Sequence, residues 1–105
     1  MGEAENKLKK EIIKYLTLRG HTVWRCNQGR FQGKYYMGKT GVPDIIGFTR
    51  EGFFIGVEAK AAGDQNEEQK NFGNLVEQTQ RGIYLIARNL EDVIKSLDNI
   101  THHVI

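Results

Sequence analysis

The first regularity along the chain is helical. Leu8, Ile12, Tyr15 and Leu16 recur every three or four residues among polar neighbours, and Gly20 follows as a stop. Residues 4–19 are therefore predicted to form an amphipathic helix. The period then changes. His21–Cys26 is short and carries Val23 and Trp24, which reads as a strand. Residues 27–41 hold Gly29, Gly33, Gly38 and Gly41 among polar and aromatic residues, the pattern of a long loop or loose hairpin. Long loops in compact domains are often functional. Asp44–Thr49 and Phe53–Lys60 are apolar and aromatic, and Arg50-Glu51-Gly52 lies between them. A three-residue turn ending in glycine predicts a β-hairpin.

A polar connector, residues 61–65, precedes a second helical pattern. Asn66 reads as an N-cap with Gln69 completing a capping box, and Phe72, Leu75, Val76 and Thr79 follow at helical spacing until Gly82. Ile83–Ala87 is a continuous apolar run, as in a buried central strand. Asn89 caps a last helix through Val93, Ile94, Leu97 and Ile100, and the tail 101–105 is ambiguous. The expected order is α-β-β-β-α-β-α, an α/β domain over residues 1–105 in which a mixed sheet is flanked by helices.

Composition narrows the function. A chain of 105 residues, 39% apolar, suits one core. No run approaches the roughly 20 apolar residues of a membrane-spanning helix, and Met1–Lys7 has no apolar region of a secretory signal. A single cysteine, Cys26, suits a reducing compartment, and the three histidines show no zinc spacing. His21, His102 and His103 read as surface residues. The expectation is a soluble cytoplasmic protein.

The formal charge of +2 conceals an asymmetry. Between Ile12 and Pro43 there is no acid, while Lys14, Arg19, Arg25, Arg30, Lys34 and Lys39 supply +6, leaving −4 on the remainder. Trp24, Phe31, Tyr35 and Tyr36 stand among those charges, as in a surface for a phosphate-bearing partner. The same composition also fits a solvated loop. Trp24 reads as a core or dimer contact.

The hairpin brings chemistry together. If its loop is residues 50–52, Thr49 faces Phe53 and Asp44 lies directly across from Glu58, with Cβ atoms about 4.5–5.5 Å apart. Lys60 projects from the same face because strand periodicity is two. Two opposed carboxylates repel unless a cation or proton lies between them. A hard divalent ion such as Mg²⁺ fits, with Lys60 placed to orient a water or stabilise phosphate charge. The same placement also fits a structural ion-pair triad. Pro43 sits at a strand start, and Gly41 and Gly56 reduce bulk near the cluster, as where a ligand backbone approaches. Glu5 falls on the apolar stripe of the first helix and is a candidate third acid, with Glu11, well off that stripe, as the competing one.

Gly41-Val-Pro-Asp44, then Phe54-Ile-Gly-Val-Glu58-Ala-Lys60 with Glu58 fourteen residues after Asp44, and Gln69 in the next helix together resemble the PD-(D/E)xK nuclease pattern. More narrowly the chain resembles a VRR-NUC, or virus-type replication-repair nuclease, domain. Arg25-Cys-Asn27-Gln-Gly29 is similar to that family's R-x-N-x-G element. The resemblance implies a restriction-endonuclease-like core and an endonuclease dependent on Mg²⁺ or Mn²⁺. In it Asp44 and Glu58 bind the metal with the Ala59 carbonyl, and Lys60 positions the attacking water. Gln69 holds the lysine or the phosphate, and Glu5 is the first-helix acid. The residues after Lys60 hold no cation before Lys70, so DNA contact is expected from Arg25, Asn27, Arg30, Lys34, Tyr35 and Lys39. Stand-alone members on short chains resemble Holliday-junction resolvases, homodimers acting on branched DNA. The rival readings are a non-catalytic DNA-binding module and a structural protein of the same fold.

Overall fold

In the computed structural model the described backbone comprises residues 2–26, 30–31, 34–35 and 40–103, and the described side chains are those of 2–26 and 40–98. The chain runs α1 (Glu3–Leu18), β1 (Thr22–Arg25), β2 (Arg30–Phe31), β3 (Lys34–Tyr35), β4 (Ile45–Phe48), β5 (Phe54–Ala59), α2 (Glu67–Gln78), β6 (Ile83–Ala87) and α3 (Leu90–His103). The four longer strands form one sheet in the order β1-β4-β5-β6, and β2 and β3 pair separately as a small hairpin. Leaving that hairpin aside, the order is the α-β-β-β-α-β-α expected from the pattern.

β1–β4 and β4–β5 are antiparallel, while β6 joins β5 in parallel after the α2 crossover. The β4–β5 register pairs Ile45 with Val57 and Phe48 with Phe54. Its loop is closed by Thr49 N–H donating to Phe53 O and Gly52 N–H donating to Thr49 O, both at 2.8 Å. Gly52 takes φ +93°, the left-handed conformation a three-residue hairpin requires.

Alternation along the strands divides the sheet into two faces. Ile45, Ile55, Val57, Ala59, Ile83 and Ala87 point to one side, where they bury Leu8, Ile12 and Leu16 of α1 with Val93 and Leu97 of α3. Phe54, Gly56, Glu58 and Tyr84 alternate to the other side, under α2. There Phe72 stacks obliquely between Phe54 and Tyr84, with ring centroids 6.0 and 6.4 Å away. Gly73 lets the Tyr84 ring approach the helix, since a Cβ there would stand 3.0 Å from it.

Three local expectations change. Trp24 is no core residue: it is 47% exposed on the sheet face and meets Phe48 edge-on at 6.3 Å. Among the described residues no helix covers that end of the face. Gly41 and Gly56 are small because the protein's own atoms fill their space. A Cβ on Gly41, at φ +77°, would overlap the Glu68 carbonyl oxygen of α2, and one on Gly56 would meet the Pro43 ring. The tail is helical to His103, so α3 extends past Ile100.

Candidate active site

Asp44 enters the site because β4 begins one residue later, behind a buried Pro43. The hairpin register, continued by one residue, sets it opposite Glu58. Its Oδ2 accepts from the Ala59 N–H at 3.0 Å, so the carboxylate takes a backbone donor beyond the end of the β4–β5 ladder. Its own carbonyl accepts from Cys26 N–H at 2.8 Å, which ties β1 to the same corner. Burial and the nearby Asp44 charge push the Cys26 thiol up from its ordinary value.

Glu58 is the deepest member, only 1% exposed. Burial, then a hydrogen bond and charge from Asp44, raise its carboxyl to about 8, with Lys60 pulling the other way. Its surroundings therefore favour the neutral, protonated form of Glu58. Its Oε2 is buried and has no hydrogen-bond partner. An unsatisfied buried oxygen costs about 1–3 kcal/mol. Two facing carboxyl groups, one with an orphaned oxygen, are a hard-oxygen donor set of the kind Mg²⁺ and Mn²⁺ take. The residues present fit such an ion. Two acids are the extent of the cluster: no group of three His, Cys, Asp or Glu able to hold a metal occurs among the described residues.

Lys60 follows β5, with its N–H bound to Ala87 O at 2.9 Å and its carbonyl accepting from Arg88 at 3.4 Å. Among the described residues it forms no ion pair; the ion pairs there are Lys9–Asp44 and Arg88–Asp64. The triad in which Lys60 neutralises both acids is thus replaced by a pairing with α1. Lys9 Nζ stands 3.7 Å from Asp44 Oδ1. The sequence gives a faint signal for it, since Lys9 flanks the apolar stripe one turn after Glu5. Glu5 itself is half-buried on the first turns of α1 and joins no three-acid group. Glu11 is exposed.

Gln69 closes the capping box of α2. Its Oε1 accepts from Asn66 N–H and its own N–H donates to Asn66 Oδ1, both at 2.8 Å. The same turn meets Tyr84 of β6, whose hydroxyl accepts from Gln65 Nε2 at 2.9 Å and donates to Gln69 O at 3.3 Å. Burial raises the Tyr84 hydroxyl, as do the Glu58 and Asp44 charges, against the Gln65 hydrogen bond. Tyr84 and Gln65 had escaped the motif reading; the signal for the first is a polar-tipped aromatic in an otherwise apolar strand.

The backbone fold matches that of a known protein. A solved structure of a VRR_NUC domain superposes with a TM-score of 0.61 and probability 1.00, covering 99% of this chain and 100% of that chain. The fold is that of a VRR_NUC domain. Identity between the two is 14%, and no family model and no curated protein matches the sequence. The likeness is therefore one of backbone architecture. In this VRR_NUC fold, Asp44, Glu58 and Lys60 lie where β4 begins and β5 ends, beside the first turn of α2.

The nucleic-acid candidates are less fully placed. Arg25 ends β1, exposed, and donates to Asn6 Oδ1 of α1 at 2.9 Å. Arg30 pairs with Tyr35 and Phe31 with Lys34 in the backbone ladder of the β2–β3 hairpin, which is inserted between β1 and β4. Asn27, Tyr36 and Lys39 lie outside the described residues. No helix among the described residues is long and apolar enough to cross a membrane.

Proposed function

We propose that this chain is a Mg²⁺- or Mn²⁺-dependent endonuclease that hydrolyses DNA phosphodiester bonds, selective for branched DNA and acting as a homodimer. The observation that carries the reading is the partnerless, buried Glu58 Oε2 facing Asp44, within a VRR_NUC fold. Asp44, Glu58 and the Ala59 carbonyl would hold the ion. When bound, it supplies Lewis-acid polarisation of a phosphate oxygen and a more acidic water. Glu58 would hold the ion as its carboxylate, its proton passing to solvent. Lys60 orients the attacking water and neutralises charge building on the phosphate. Gln69, which also caps α2, holds Lys60 or the phosphate, and Glu5 assists from α1. Arg25, Asn27, Arg30, Lys34, Tyr35 and Lys39 bind the flanking backbone. Selectivity for junctions and dimerisation rest on the resemblance to stand-alone resolvases.

One observation favours a second reading. With Asp44 paired to Lys9 and Glu58 neutral, the acids are compensated without a metal, as in a non-catalytic DNA-binding module or structural protein. Incubating the protein with linear and four-way-junction DNA, with and without Mg²⁺ or Mn²⁺, separates the two. Metal-dependent cutting, preferring the junction and reduced at least about 100-fold in Lys60→Ala, is the expected result. Binding without cutting under either metal would establish the module instead.

A further inference from the structure

The proposed chemistry makes no use of Lys9. Its Nζ lies 3.7 Å from Asp44 Oδ1, with the two side chains 17% and 29% exposed. The other oxygen, Oδ2, is pinned by the Ala59 N–H. Oδ1 is thus the oxygen of Asp44 that faces an exchangeable cation. Leu8 and Ile12, on either side of Lys9, are buried in the core and fix the helix backbone. Rotamer changes along the four-carbon stem of a lysine are enough to shift its ammonium by a few ångströms.

We propose that Lys9 is a phosphate-binding residue released by metal. It neutralises Asp44 Oδ1 in the metal-free protein and yields that oxygen when Asp44 and Glu58 hold a divalent cation. It then donates to a non-bridging oxygen of the DNA backbone at the cleavage site. The inference rests on the metal-dependent nuclease reading and adds α1 to the DNA surface.

Coulomb repulsion supplies the direction. An ammonium and a divalent cation on one carboxylate repel strongly at a few ångströms in a part-buried site, and the monovalent, tethered group is the one that moves. Once freed, an ammonium beside a phosphate has three donors and a full charge with which to bind it. Lys9 lies outside the acid-free stretch of residues 12–43. Its contact with DNA is therefore independent of the hairpin cations.

Two measurements on the full chain test it, Mn²⁺ titration by calorimetry without DNA and steady-state cleavage of a four-way junction. Lys9→Ala is expected to bind Mn²⁺ about three- to fivefold more tightly, because a competing cation is gone. It should raise KM for DNA about tenfold with kcat changed less than about twofold. Lys9→Arg should restore KM. Should Lys9→Ala fail to fold, Lys9→Met keeps the apolar stem and carries the same expectations. Unchanged or weaker Mn²⁺ binding in the neutral variant, or a loss confined to kcat, overturns the role of Lys9. A wild-type chain that neither binds Mn²⁺ nor cuts DNA removes the nuclease reading itself, and this one with it.

Discussion

Glu58 makes the site testable without any substrate. The folded protein keeps its proton up to about pH 8, whereas the unfolded chain releases it near 4.5. Between those values the folded state binds more protons, so stability falls as pH rises, by at most about 1.4 kcal/mol per pH unit, and levels off above 8. Urea denaturation from pH 5 to 9 without divalent ions should show that decline in the wild type. Glu58→Gln, isosteric and uncharged, should abolish it. Excess Mn²⁺, which binds the ionised form, should flatten the wild-type curve. Parallel curves for wild type and variant would mean that Glu58 ionises normally. At this scale the sequence was informative about the pair and silent about its state. The opposition of Asp44 and Glu58 follows from hairpin register alone, because a three-residue turn and a period of two leave one answer. The proton on Glu58 and the Lys9 contact depend on depth and on a helix 35 residues away in sequence from Asp44, which no local pattern encodes.

The elements around the cluster are locked by backbone contacts, and Gly41 makes one of the tightest. Its φ of +77° costs a non-glycine residue about 1–2 kcal/mol, and a Cβ would collide with the Glu68 carbonyl in the first turn of α2. Overpacking of that kind adds about 1–3 kcal/mol. Gly41→Ala should therefore destabilise by roughly 3 kcal/mol. Asn66→Ala, which removes only the α2 cap, should cost about 1 kcal/mol. Urea midpoints of the two variants decide whether the Gly41 corner or the cap holds α2 in place, and equal losses would refute the packing argument. The elements themselves were legible, since helix stripes, the Asn66–Gln69 box and the Arg50–Gly52 turn are all local. Trp24 was not: its exposure reflects α2 covering only the β5–β6 side of the sheet, and that follows from topology.

At the scale of the whole molecule the charge asymmetry and the single site argue together. The six cations of residues 12–43 span α1, β1 and the β2–β3 insertion, on the chain that leads into Asp44. On the proposed function, each chain offers one Asp44–Glu58 pair to one phosphodiester of one strand. Cutting two strands of a junction in concert then requires a second copy, most simply related by a two-fold axis. A supercoiled plasmid extruding a cruciform distinguishes concerted from independent action, because paired cuts within one binding event give linear DNA and a lone cut gives a nicked circle. Wild-type protein should yield linear product directly. Equal amounts of wild type and Lys60→Ala, mixed to allow subunit exchange, should convert about half of the dimers to hybrids that nick only, since random pairing of two equal populations makes half of all pairs mixed. Nicked circles should therefore accumulate in the mixture but not in wild type diluted twofold. If the mixture behaves as diluted wild type, each chain cuts alone, and the symmetry of the junction plays no part in its recognition.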